Sequence, residues 1–401
     1  MIDMTNSSTA PTVASPNLRN NLPSGDTSET ALTVSLYSMD DYTTVKAAWE
    51  DLELRIPDVP ITCSWLWTST WLANYSNVVR PLFAVGTVGG TVRGICLLSE
   101  VQGKLLGIFP VRSLHLGTAG EPYGHSVCVE YNELLTETEY RQPFVSALHQ
   151  LLASRTNWDQ FVLSGVNESN NQDLVLTSDT GRIGTAVRSR ESRYFDLQAC
   201  RESGAEVLEQ LGRSTRSNLK RRVKQLDPIE VEWAESLEQA RDIYRELVEL
   251  HQARWQAVGE PGAFASPRFD QFQQQLIEQG FQKRAVVLTR IRSAGQTIGC
   301  LYLLNDRNRL LDYVSGFASF DQVSSPGLVS HYLCMNEALV RGYDAYDFLV
   351  GDKRHKENLG KSSNQLQWIH CERKRLAFTV RDQLRQLKQL VKRTPKADQN
   401  D

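Results

Sequence analysis

The sequence predicts an α+β chain of two tandem lobes, each a mixed, mostly antiparallel sheet flanked by helices. A length of 401 residues suits two domains of about 100–200 residues each. Alternating and helical apolar spacings interleave along the chain instead of segregating into an all-α or all-β pattern. The run from Arg284 to Phe317 reads as three consecutive strands. Its turns, Ala294-Gly295 and Asn305-Asp306, carry residues that suit left-handed backbone positions.

Each element follows from local spacing. Leu32 to Tyr37 alternates as a half-buried strand, and Asp40 to Leu54 has helical spacing. Trp65, Trp67 and Trp71 fall on a second helix. Arg80 to Val88 and Val92 to Val101 form a hairpin around Gly89-Gly90. An apolar run from Leu105 to Leu116, a helix from Tyr140 to Ser154 and a strand from Asp159 to Leu163 complete the first lobe. The second repeats the order: a strand at Tyr194 to Leu197, a helix over Gly204 to Leu226, a strand at Ile229 to Trp233, then helices Ser236 to Val258 and Pro267 to Gln279. The three-strand meander follows, with strands Arg284–Ser293, Gln296–Leu304 and Arg309–Phe317. A helix starts at Ser324-Ser325-Pro326-Gly327, where a Ser cap and an early Pro are both start signals. Strands at Asp344–Val350 and Leu366–His370 and a basic helix over Leu376–Arg393 end the fold. The expected segments are a disordered arm at 1–30, lobes at 31–195 and 196–375, and a C-terminal helix and tail at 376–401.

Composition narrows the function. With 41% hydrophobic and 23% charged residues the chain builds real cores, and a net charge of −3 excludes a polycation wrapped around nucleic acid, so no DNA partner is expected. The charge is uneven: residues 1–200 sum to −8 and the remainder to +5, which favours the second half for an anionic ligand. The seven cysteines are odd in number and widely spaced, which indicates neither a disulfide framework nor a metal site. Their apolar neighbours suit reduced, buried thiols and a cytoplasmic location. The first 30 residues lack the features of a signal peptide, and no window offers the roughly 18 apolar residues that spanning needs.

The stretch Arg213 to Lys224 holds six cations and no acid above an apolar stripe. It reads as a solvated face, a clamp on a phosphorylated or nucleotide-bearing ligand, or a nucleic-acid or membrane contact. Arg216 and Lys220, four apart, share one exposed side. The helix starting near Gly327 presents unpaired N–H groups on which a phosphate docks, unless it is an ordinary capped helix. Strand 344–350 ends in Gly351 and releases Asp352, Lys353, Arg354, His355 and Lys356 together. Asp312 and Tyr313 point to opposite faces of their strand, so one faces any cleft there. His331, Tyr332 and His355 are further acid–base candidates. Trp65, Trp67, Trp71 and Trp255 either stack on a sugar or pack the core.

Three residue blocks carry a resemblance: Asp312 to Phe317, Ser325-Pro326-Gly327, and Gly342 to Asp352 closing with Lys353-Arg354-His355-Lys356. With Ser64 to Trp71, Arg213 to Arg222 and Leu250 to Trp255 upstream, the chain from 33 to 375 resembles the GNAT-like proteins of bacterial cellulose and exopolysaccharide synthesis, distant relatives of Fem-type peptidoglycan aminoacyltransferases. The resemblance implies an N-acyltransferase using acyl-CoA, such as acetyl-CoA, with no metal, and a small-molecule or glycan-precursor acceptor. Fem-like transfer from aminoacyl-tRNA and a non-catalytic scaffold are the alternatives. The resemblance carries over Gly351, Asp352 and Lys356; with the acid–base candidates Asp312 and Tyr313 these give the catalytic set Asp352, Lys356, Tyr313 and Asp312. The loop places Gln322, Ser324, Ser325 and Gly327 around the donor, and the basic helix, tryptophan and strand-end readings place Arg216, Lys220, Trp255 and His355 around the substrate. Asp352 and Lys356 are expected to be at least partly exposed. The loop departs from the family in keeping one glycine where a Gly-x-Gly-like pair is usual.

Overall fold

A computed structural model describes residues 31–176 and 182–393, with backbone only from 385 onward; the expected arm at 1–30 and the tail after 393 lie outside the described residues. In chain order the first half comprises β1 (Thr33–Tyr37), α1 (Tyr42–Arg55), α2 (Trp65–Tyr75), β2 (Arg80–Val88), β3 (Thr91–Leu105), β4 (Phe109–Leu116), β5 (Leu135–Thr136), α3 (Arg141–Ser154), β6 (Gln160–Asn167), the one-turn α4 (Glu168–Asn171) and β7 (Ile183–Asp196). Then come α5 (Leu197–Ser203), α6 (Val207–Gln210), α7 (Arg213–Leu226), β8 (Ile229–Trp233), α8 (Leu237–Ala257), α9 (Pro267–Gly280), β9 (Val286–Ser293), β10 (Gln296–Asp306), β11 (Arg309–Phe317), α10 (Pro326–Val340), β12 (Ala345–Val350), α11 (Arg354–Leu359), β13 (Ser362–Arg373) and α12 (Leu376–Arg393).

The order is an internal repeat. A strand, two helices, a three-strand antiparallel meander, a helix, a strand parallel to the last meander strand and a final strand occur once as β1 to β7 and again as β8 to β13. The two sets join in one sheet of order β1-β2-β3-β4-β6-β13-β7-β12-β11-β10-β9-β8. At its centre the final strands are exchanged: β13 pairs with β6 of the first half, and β7 pairs with β12 of the second. β7 and β13 also pair antiparallel with each other along all of β13.

Three sequence expectations change here. The helix expected over 204–226 is broken, because Gly204 takes a left-handed conformation (φ 67°) as the α5 cap and Gly212 caps α7. The strand at 194–197 runs back to Ile183; its polar residues hid it, since what holds β7 is ladder pairing on both sides. The second meander turn sits at Arg307-Asn308, both with positive φ, so Asn305 and Asp306 remain in β10.

One apolar cluster spans both halves, from α1 and α2 to α8, α9 and β9 to β11. Ser64 caps α2 by accepting from the Trp67 N–H and turns the Trp67 indole inward. Its edge meets Phe272 of α9 at 5.0 Å and Tyr313 at 6.0 Å, while its Nε1–H donates to Thr118 Oγ1 at 2.7 Å. Trp65, Trp67 and Trp71 are therefore core residues. All seven cysteines are free, and six are buried. Among the described residues no helix is long and apolar enough to cross a membrane. Trp67→Ala opens a cavity between the halves and orphans the Thr118 hydroxyl; urea unfolding is expected to show a loss of about 3–5 kcal/mol.

Candidate active site

β11 and β12 pair only from Arg309–Ala345 to Leu311–Asp347, then diverge. Buried carbonyls that lose a ladder must find other donors. The Lys356 ammonium supplies them: it donates to the carbonyls of Phe348, Leu349 (3.2 Å) and Val350 (3.0 Å) and is only 9% exposed. The Val350 N–H donates to Glu130 Oε2 at 2.9 Å. Deeper in the wedge the Asp347 carboxylate accepts from Tyr131 (2.6 Å), Ser192 (2.8 Å) and the Leu349 N–H (2.8 Å), with Arg309 at 3.5 Å. This ties β12 to the first half.

On the α10 side the wedge meets a groove of about 1320 Å³. Among the described residues six cations line it, Arg213, Arg221, Arg222, Arg254, Lys353 and Arg354, and no acid does. α7 buries Leu219 against the cluster that includes Leu328 and Phe317, which leaves Arg213, Ser217, Asn218 and Arg221 to the groove. Ser324, Ser325 and Leu328 bring the start of α10 to the same wall. Ser325 is left-handed (φ 60°, ψ 49°) and no side chain caps α10, contrary to the expected Ser cap. Its first-turn N–H groups and the positive end of its dipole therefore meet the groove. The Arg254 guanidinium lies over the Phe320 ring at 4.8 Å. Burial and the neighbouring cations, Arg254 first, hold the Lys353 amine below its usual range.

Asp312 and His331 stand behind the groove wall, and His355 joins them from the wall itself. His331 is fully buried, its Nδ1 2.9 Å from the Tyr346 hydroxyl and its Nε2 3.6 Å from Asp312 Oδ2. The two imidazoles stack at 4.8 Å and 21°. Burial lowers both histidines to about 3 and raises the Asp312 carboxyl; burial is the largest cause in each case.

Of the residues the sequence singles out, Ser324, Ser325 and His355 line the groove, and Asp312 stands behind it. Tyr313 faces away, its hydroxyl donating to the Val127 carbonyl (2.7 Å) and accepting from Gln273 (3.0 Å). Gly327 is buried, and a Cβ there would meet Phe317 at 3.2 Å, so its glycine makes room for that ring. Gln322 is exposed on the preceding loop and Asp352 on the loop after β12. Lys356 is buried, against expectation, because the diverging strand end recruits it. Arg216 and Lys220 do not line the groove: α7 turns the neighbouring face to it. Trp255 packs beside His251 at 5.9 Å, while its neighbour Arg254 reaches the groove. Arg221, Arg222, Lys353 and Arg354 were visible only as two separate basic runs.

Lys356→Met leaves three carbonyls without their donor and is expected to cost about 2–4 kcal/mol in urea unfolding. Burial pushes Glu130 up to about 7. The folded chain then binds more protons than the unfolded one between about 4.5 and 7, so this group's contribution to stability falls as pH rises through that window, by up to about 3 kcal/mol. Glu130→Gln should remove that fall, read as the difference between the two proteins' pH–stability curves.

Residues 213–357 match the acetyltransferase (GNAT) domain family. No curated protein matches the chain. The crystal structure of FemX is similar in fold at TM-score 0.54 and 10% identity, covering 82% of this chain and 95% of FemX. The C-terminal domain of a putative lysylphosphatidylglycerol synthetase from Agrobacterium fabrum gives 0.48 at 12% identity, covering 85% and 96%. A tandem GNAT protein from the clavulanic acid biosynthesis pathway gives 0.43 at 12%, covering 84% and 98%. The matched segment begins with α7 and ends in α11, the two helices that supply most of the groove's charge, so the groove is built largely from the part of the chain that matches the acetyltransferase (GNAT) domain family.

Proposed function

We propose that the chain moves an acyl group from an acyl-CoA donor such as acetyl-CoA to an amine or hydroxyl of a cell-envelope or exopolysaccharide precursor. The six-cation groove meeting the uncapped start of α10 carries this reading. A CoA donor brings a pyrophosphate and a further phosphate, and such a groove supplies cations and helix N–H groups to neutralise them. Arg222 adds a specific sign, since its Nε is buried with no partner although the residue lines the groove. The segments 31–195 and 196–375 divide the work, the first bracing the wedge through Glu130 and Tyr131 and the second holding the donor. The acceptor's lone pair attacks the thioester carbonyl, its proton leaves to a nearby base, and collapse releases the thiolate. Asp352, on the exposed loop beside the groove, is placed to orient an incoming amine. The acceptor class rests on the resemblance of the Gly351 to Lys356 segment.

The volume and charge of the groove favour a second reading, aminoacyl transfer from tRNA. Calorimetry with acetyl-CoA, 3′-dephospho-CoA and a charged tRNA distinguishes the two. Acetyl-CoA should bind, more weakly at higher salt, and Arg222→Ala and Arg254→Ala should each weaken it about tenfold, or about 1.4 kcal/mol. Binding of the tRNA alone would replace the first reading with the second. Binding of neither would leave the scaffold reading.

A further inference from the structure

Among the buried side-chain atoms without a hydrogen-bond partner are Asp312 Oδ1, His331 Nε2 and His355 Nε2. These are three polar atoms of one cluster, on three elements of the fold. An orphaned buried polar atom costs about 1–3 kcal/mol, and three converging ones call for a shared occupant. We propose that Asp312, His331 and His355 form a three-ligand site for a zinc-like divalent ion, with its open position toward the cationic groove.

The geometry supports it. Ligand atoms of the three residues lie within 4.8 Å of one another, and His331 Nε2 to Asp312 Oδ2 is 3.6 Å. Metal–ligand bonds of about 2.0–2.2 Å place neighbouring ligands roughly 3.3 Å apart, so that pair is already spaced for one ion. His355 is stacked on His331 at 21°, so its ring must turn out of the stack to aim a nitrogen lone pair at the same ion. His331 suits the role in the tautomer whose Nδ1–H donates to the Tyr346 hydroxyl 2.9 Å away, because Nε2 then carries the lone pair. Two imidazoles and a carboxylate suit zinc or cobalt rather than magnesium or calcium, whose ligands are oxygens. Three protein ligands with one open position is the arrangement of sites that bind a ligand on the metal. His355 both belongs to the cluster and lines the groove, so the open position meets the groove's anionic ligand. Lys353 and Lys356 stand near enough to oppose a cation, and the Asp312 charge offsets them in part. The site does not depend on which donor fills the groove.

The test uses the full chain, expressed without a histidine tag and dialysed against chelator-treated buffer. Elemental analysis should find about one equivalent of zinc, and cobalt(II) added to metal-free protein should give the visible absorption of a low-coordinate nitrogen–oxygen site. His331→Gln and His355→Gln should each weaken metal binding at least tenfold, while His125→Gln, outside the cluster, should not. The cobalt spectrum of the unmutated chain stands even if one variant fails to fold. A chain that takes up no metal and gives no cobalt spectrum overturns the site. Metal binding undiminished in both cluster variants overturns it too, since the ion then sits elsewhere. Full turnover in metal-free protein with loss in His355→Gln would make the cluster a metal-free acid–base group instead.

Discussion

The exchange of final strands at the middle of the sheet is the constraint on which the rest depends. β7 and β13 each end one repeat and each complete the other repeat's sheet. Neither half can close its ladder alone, so unpaired strand edges are covered only when both halves are folded together. The shared apolar cluster under α2 and α9 has the same consequence, since removing the second half would expose the tryptophans of α2 and removing the first would expose Phe272 of α9.

That arrangement also explains the wedge. With β12 held by β7 on one edge, its other edge follows β11 for three residues and then parts from it. The parting strand leaves carbonyls that Lys356 must satisfy and an N–H that Glu130 takes. A lysine at this place is buried because its three donors match three carbonyls, a better outcome than orphaned acceptors in a dry interior. The first half thus contributes to the site by shaping the opening, through Glu130, Tyr131 and Ser192, and none of its described residues lines the groove itself.

The groove concentrates charge from places remote in sequence. Arg213, Arg221 and Arg222 come from α7, Arg254 from the end of α8, and Lys353-Arg354 from the start of α11. Cations of one sign repel, and this grouping is sustained without an acid in the lining, which fits a surface whose balance comes from an anionic ligand.

Local spacing determined much by itself. The meander, the hairpin at Gly89-Gly90, the α10 start and both basic runs follow from periods of 2.0 and 3.6 and from turn residues, which act within a few neighbours. Family-type blocks around Asp312 and Gly351 pointed to the half of the chain that holds the groove. Tertiary structure alone decided that β7 is a long strand, because its polar residues are held by partners on both sides and carry no alternation of their own. It decided which face of α7 meets the groove, since Leu219 fixes the helix rotation only once a core exists to bury it. It also turned Lys356 from an exposed charge into an interior donor, and brought Asp312, His331 and His355 from three elements to one point, because strand register and helix packing join residues whose separation in sequence leaves no local trace.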